Sequence, residues 1–227
     1  MDLDYKRAFV EYMIEADALK FGDFITKSGR ESPYFINTGA FDTGAGIDAV
    51  GAFYAACIID NMERGLLPRD VAAIFGPAYK GIPLAVSACA ALARDFGLDV
   101  GYCFNRKEPK DHGEGGNLVG KKLQPGDKVI VTDDVITAGT AIREVFPILR
   151  AAGADAVGLV ISVDRMERGR GALSAVEEIR RDLDLAVFPI VTVKDILAEL
   201  DGRTVNGALI LDEDRKRRME AYMERYC

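Results

Sequence analysis

Hydrophobic positions set the layout of the chain. Over residues 4–19 apolar side chains recur at helical spacing, with Phe9, Met13 and Ala16 on one face, and predict an amphipathic helix. Two short strand-like runs follow at residues 21–26 and 32–37, on either side of the turn signal Ser28-Gly29-Arg30. Thr43 is an N-cap residue type, and it opens a long predicted helix that stops near Gly65.

From residue 66 the texture changes. Nearly continuous apolar runs at residues 71–75, 100–104, 128–132, 156–163 and 187–193 predict strands. Residues 81–96, 140–152 and 172–183 carry helical periodicity between them, and residues 105–120 are polar and read as a loop. Unalternating strands separated by helices predict an α/β fold, a mostly parallel sheet with helices on both faces. Residues 66–193 are the expected core, and residues 1–65 with a helical tail over 194–227 form a smaller hood on the same single domain. No repeat, low-complexity tract or linker divides the 227 residues.

Composition narrows the function. There are 29 basic and 36 acidic residues, so the net charge is −7. Such a chain lacks the broad positive field of a nucleic-acid binder, although a local basic pocket for a small polyanion remains compatible. The longest apolar run, residues 49–59, falls short of the roughly 20 residues a membrane helix needs. The opening Met1-Asp2-Leu3-Asp4-Tyr5-Lys6-Arg7 carries no signal-peptide pattern. Cys57, Cys89, Cys103 and Cys227 have no CxxC spacing, and three lie in apolar runs, which predicts buried reduced thiols in a cytoplasmic protein. His112 has no clustered partners, so no protein metal site is expected.

Three segments carry candidate chemistry. In Val129-Ile-Val-Thr-Asp133-Asp134-Val-Ile-Thr137-Ala-Gly139-Thr140-Ala141, a buried strand ends in two acids, then a loop of small residues leads into a helix. Ligands of open α/β sheets bind at the carboxyl ends of strands, and a helix N-terminus there favours phosphate. The adjacent carboxylates suit vicinal hydroxyls of a polar ligand. The spacing fits neither the dinucleotide fingerprint nor the P-loop. The second segment, Phe75-Gly76-Pro77-Ala78-Tyr79-Lys80-Gly81, puts a lysine at a helix start, a local conflict that a bound anion would relieve. The third, residues 104–120, joins Arg106, Lys107, Lys110 and His112 to a run of glycines, as expected of a mobile arm for a polyphosphate.

Together these strings resemble the type I phosphoribosyltransferase family. Residues 129–141 are similar to its motif for phosphoribosyl pyrophosphate (PRPP), in which the acid pair holds the ribose hydroxyls and the loop cradles the 5′-phosphate. Residues 75–83 resemble its pyrophosphate loop. Arg106-Lys107-Glu-x-Lys110-x-His112-Gly resembles the lid of the members that act on orotate, and Lys27-Ser-Gly-Arg-x-Ser-Pro-Tyr34-Phe35 and Asp164-Arg165-x-Glu167-Arg168-Gly agree with the same members. The resemblance runs from about residue 5 to about residue 200.

The resemblance implies the type I phosphoribosyltransferase fold and the reaction of orotate with PRPP. PRPP would meet Lys27, Tyr79, Lys80, Arg106, Lys107, Lys110 and His112, with its ribose and 5′-phosphate on Asp133, Asp134, Val135, Ile136, Thr137, Ala138, Gly139, Thr140 and Ala141. Orotate would meet Phe35, Ile36, Thr137 and Arg165. Catalysis would rest on Lys80, Lys110, Asp133 and Asp134. Mg²⁺ would be held mainly by substrate oxygens. A homodimer with shared active sites is also implied. Many relatives carry a second aromatic where Ile36 stands, so ring stacking is not carried onto that residue, and no role is carried onto the tail. The plainer alternative for Arg165 is an ion pair with Asp164 or Glu167. Two rival functions remain: a transferase of the same fold for a purine or uracil, and a PRPP-sensing regulator, which would bring a basic DNA-binding module.

Overall fold

The apolar runs build one sheet, and its topology follows from the helices between them. The structure, a computed structural model, describes residues 5–26, 29–110, 116–136, 139–169 and 171–227. The chain opens with α1 (Tyr5–Glu15), the antiparallel hairpin β1 (Leu19–Ile25) and β2 (Glu31–Ile36), and α2 (Gly44–Glu63). The succession β3 (Ala73–Gly76), α3 (Gly81–Phe96), β4 (Gly101–Lys110), β5 (Gly116–Gly120), β6 (Lys128–Asp133), α4 (Thr140–Ala151), β7 (Asp155–Asp164), α5 (Ala175–Leu183) and β8 (Val187–Thr192) follows. The tail holds α6 (Val193–Leu200), the small pair β9 (Thr204–Val205) and β10 (Ala208–Leu209), and α7 (Glu213–Tyr226).

Six strands line up in the order β5-β4-β3-β6-β7-β8, parallel throughout except for β4 with β5. Successive side chains of a strand point to opposite faces. Ile74, Ile130, Val160 and Ile190 therefore join the helices α1, α2, α3 and α6 in one apolar cluster. Phe75, Val129, Val131, Leu159 and Ile161 face α4 and α5 in the other. Burial on both faces is why these runs lack alternation. Among the described residues no helix is long and apolar enough to cross a membrane.

Three boundaries differ from the sequence pattern. The first helix ends at Glu15, because Asp17 turns the chain at φ 58 and Leu19 already belongs to β1. A left-handed residue breaks a helix whatever the apolar spacing behind it, and Asp tolerates that conformation better than most. The last core helix begins at Ala175, where Ser174 and Glu177 close a capping box. The polar arm at 105–120, read as a loop, is strand on both sides: β4 runs to Lys110 and pairs with β5 from Cys103↔Gly120 to Lys110↔Gly116. A ribbon reaching past the core buries little side-chain surface, so its pairing leaves no hydrophobic pattern to read.

The helix α2 lies on α3 and on β7 and β8, so it covers a sheet face. The β1–β2 hairpin and α7 sit instead at the carboxyl ends of the strands. Arg30 donates to the Arg168 carbonyl at 3.0 Å, and Arg218 pairs with Asp23.

Candidate active site

The carboxyl ends of β4, β3, β6 and β7 lie side by side in the sheet. Between β3 and α3 the chain turns within four residues, and glycine is required at both ends. A Cβ on Gly76 would lie 2.1 Å from the Gly81 carbonyl oxygen, and one on Gly81 would lie 2.7 Å from the Pro77 ring. The turn contains a cis peptide between Ala78 and Tyr79. Asn105, buried at the end of the apolar part of β4, accepts from the Ala78 N–H at 2.9 Å and so fixes the loop to its neighbour strand. Tyr79 and Lys80 at its tip are exposed. Across from them, Gly139 starts α4 at φ 65, with the place of its missing Cβ filled by Ile179.

These loops enclose a cleft of about 260 Å³, lined by residues 77–80, 133–136 and 139–141. Asp133 and Asp134 form its floor. The Lys80 ammonium donates to Asp134 at 2.8 Å and the Thr38 hydroxyl at 2.9 Å, while the Val135 N–H reaches the other carboxylate oxygen at 2.8 Å. Burial alone would raise the Asp134 pKa, but Lys80 and these donors outweigh it and hold the group below the usual carboxylate range. Asp133 has the opposite fate. Burial and the neighbouring Asp134 charge push it up to about 6. The backbone beneath is fixed by two hydroxyls, Tyr54 to the Asp133 carbonyl and Ser162 to the Asp134 carbonyl, each at 2.6 Å. The cleft thus offers one ionised acid, one acid poised to ionise near pH 6, and a lysine between solvent and floor. Its two carboxylates are too few to cage a cation alone, yet they fit a divalent ion whose other ligands come from phosphates and water. Among the described residues no group of three or more His, Cys, Asp or Glu could hold a metal by itself.

On the arm, Arg106 stands midway along β4 with a buried Nε that has no partner among the described residues, and Lys107 pairs with Glu144 of α4 at 3.2 Å. Lys27, His112, Thr137, Ala138 and the Lys110 side chain lie outside the described residues. At the β7 end Arg165 is nearly enclosed. Its guanidinium lies 4.3 Å from the Tyr34 ring centre and donates to Glu167 through Nε and Nη2 at 2.8 and 2.6 Å. The pair with Glu167 that the sequence offered as an alternative therefore exists, at the same sheet edge as the acid pair. Phe35 is exposed and stacks on Phe24 at 5.4 Å, and Ile36 packs against the core. Sequence reasoning missed Thr38, Tyr54, Asn105 and Ser162. A hydroxyl inside an otherwise apolar run marks two of them, Tyr54 and Ser162. A larger cavity of about 570 Å³ beside the amino end of β8 has neither paired acids nor a glycine loop.

An acid pair at a strand end, a glycine-bounded lysine loop facing it and a helix N-terminus closing the cleft define a phosphoribosyltransferase, and residues 42–196 match the phosphoribosyl transferase domain family. Curated orotate phosphoribosyltransferases of Bifidobacterium adolescentis and Shigella dysenteriae are 50% identical over 228 residues, 99% of this chain and 97% of theirs, and 52% identical over 200 residues, 88% and 90%. The crystal structure of orotate phosphoribosyltransferase from Francisella tularensis matches with a TM-score of 0.83 at 34% identity, covering 96% of this chain and 98% of that one. The chain belongs to the orotate phosphoribosyltransferase family.

Proposed function

We propose that this cleft performs the family's reaction with the roles that follow. The chain is a pentosyltransferase: it moves ribose 5-phosphate from PRPP to orotate, giving orotidine 5′-monophosphate and pyrophosphate, in pyrimidine biosynthesis. The observation that carries the residue roles is the Asp133–Asp134 pair at the floor of the cleft with Lys80 above it.

The two carboxylates accept from the ribose 2′- and 3′-hydroxyls. Residues 135–141 and the N-terminus of α4 hold the 5′-phosphate, Thr137 and Ala138 among them by resemblance. Lys80 releases Asp134 as the pyrophosphate arrives and follows the anion. Tyr79, Arg106, Lys107, Lys27, Lys110 and His112 complete the PRPP contacts. Phe35, Ile36, Thr137 and Arg165 take orotate, with Arg165 on its carboxylate. The ring nitrogen of orotate bonds to ribose C1 as the bond to pyrophosphate breaks and its own proton leaves to the pyrophosphate or solvent, through an oxocarbenium-like state that needs no nucleophile from the protein. Catalysis is positioning together with stabilisation of the leaving group by Lys80 and Lys110. Mg²⁺ beside Asp133 and Asp134 would supply further positive charge to the pyrophosphate oxygens. Consumption of orotate followed by ultraviolet absorbance, with PRPP and Mg²⁺ present and each omitted in turn, tests the reading. Turnover of adenine or uracil in place of orotate would overturn it.

We read the 227 residues as one domain acting in the cytoplasm. Residues of α1, β2, α2, α6 and α7 share one apolar cluster with the sheet, and burial pushes the thiols of Cys57 and Cys89 up to about 12 and of Cys103 up to about 11. We also propose a two-fold homodimer in which the β4–β5 arm serves the partner's cleft, a reading supported by the arm's reach beyond the core and its cationic residues. Mixing an inactive Lys110→Ala chain with an inactive Asp133→Asn chain restores about a quarter of wild-type activity if half the dimers are hybrids with one intact site. No recovery despite subunit exchange means each arm serves its own chain.

A further inference from the structure

The tail helix α7 ends at the base side of the site. Glu167, two residues beyond Arg165, collects donors from three separate parts of the chain. Its Oε1 accepts from the Arg165 Nε and Nη2, from the Tyr222 hydroxyl at 2.8 Å and from the Tyr34 hydroxyl at 3.4 Å. Arg30 approaches Oε2 at 3.6 Å. Tyr222 is buried and packs edge-on against Tyr34, with 5.8 Å between ring centres. The end of α7 is tied down by the Arg168 N–H on the Tyr226 carbonyl at 2.7 Å and the Arg168 guanidinium on the Arg225 carbonyl at 2.8 Å.

An arginine side chain carries a large rotamer freedom, and an unheld one must lose it when it binds an anion. Here that freedom is already gone. The Tyr34 face and one Glu167 oxygen fix the guanidinium plane, and the Tyr222 hydroxyl stands beside it. A carboxylate such as Glu167 close to an incoming anion is electrostatically adverse, so its presence is explained by orientation rather than attraction. Glu167 in turn needs its own anchor, and the shortest hydrogen bond to it from outside its own loop is that of Tyr222.

We propose that Tyr222 is a positioning residue for base recognition: through Glu167 it sets the orientation in which Arg165 presents its guanidinium to the carboxylate of the substrate. The inference rests on the assignment of Arg165 to orotate made above. It gives the tail helix, which the sequence left without a role, a part in choosing a carboxylated pyrimidine over an uncharged one.

Steady-state kinetics on the full chain test it, with Tyr222→Phe, Arg165→Ala and the double variant. Tyr222→Phe keeps the ring and its packing. It should raise the KM for orotate about 5–10-fold, the size of one lost hydrogen bond, while the KM for PRPP and inhibition by uracil stay at wild-type values. In the Arg165→Ala background the same change should add nothing, since the group it orients is gone. Glu167→Gln, which keeps an acceptor for both partners, should disturb orotate less than Glu167→Ala. Equal effects of Tyr222→Phe on both substrates, no effect on either, or full additivity with Arg165→Ala would overturn the proposal. The single Arg165→Ala variant separates the two failures. If it leaves the orotate KM unchanged, the assignment of Arg165 itself is wrong. If it raises that KM while Tyr222→Phe does not, only the positioning role falls.

Discussion

The side of the cleft proposed for PRPP and the side proposed for the base are built by different means. The PRPP side consists of contiguous strings that follow β3 and β6, steadied by single side chains: Lys80 and Thr38 on Asp134, Tyr54 and Ser162 on the carbonyls of the acid pair, and Asn105 on the Ala78 N–H. The base side is stitched from positions far apart in sequence: Arg30 and Tyr34 of the hairpin, Arg165 and Glu167 after β7, and Tyr222 of the last helix. A phosphate site can be made of main-chain N–H groups at a helix start, so the fold fixes it. A carboxylate-reading arginine needs a side chain held from several directions, so it depends on how distant segments dock.

The largest expected effects fall on the PRPP side. Asp134→Asn, which removes the charge facing Lys80 and, in the proposed roles, the ribose, lowers kcat/KM on the order of 100-fold or more with the fold intact, as seen by steady-state kinetics beside a melting curve. Full activity with an early melt would make the acid pair structural. On the base side, Arg165→Ala costs orotate binding on the order of 1.5–3 kcal/mol and PRPP binding far less. Separate KM values for the two substrates check this, and equal losses would merge the two regions into one.

A smaller effect sharpens the asymmetry within the acid pair. Asp133 loses its proton near pH 6 in the folded chain, whereas an unfolded Asp does so near pH 4. Between those values the folded state holds more protons, so this group lowers stability as pH rises and leaves it unaffected below the unfolded pKa. Asp133→Asn therefore melts above wild type at pH 7.5, and the gain disappears by about pH 4. In the wild type kcat/KM for PRPP rises through about pH 6, as this carboxylate ionises. The smallest change is Asn105→Ala. Losing its bond to Ala78 costs about 1 kcal/mol and raises the KM for PRPP a few-fold without touching orotate, which isothermal binding of each substrate resolves.

The sequence alone determined the parallel sheet, the order of its helices and the strings that line the cleft. Runs such as residues 128–132 are apolar on both faces because helices cover both, and the acids at 133 and 134 stand where such a run meets solvent. The glycines at 76, 81 and 139 are there because a side chain would collide, a constraint that acts within a few residues for the first two and so shows in the local string. Tertiary structure decided what depends on long-range pairing. The strands β4 and β5 extend into a polar arm through backbone bonds that carry no side-chain pattern. The ionisation of Asp133 is set by burial beside Asp134, which no spacing reveals. The pinning of Arg165 joins residues 34, 167 and 222, and Tyr222 in the string Met219-Glu220-Ala221-Tyr222-Met223 is only an aromatic on a charged helix until that helix docks. Hydrophobic period and steric limits are local properties of the chain, whereas hydrogen-bond partners and desolvation exist only once distant segments meet.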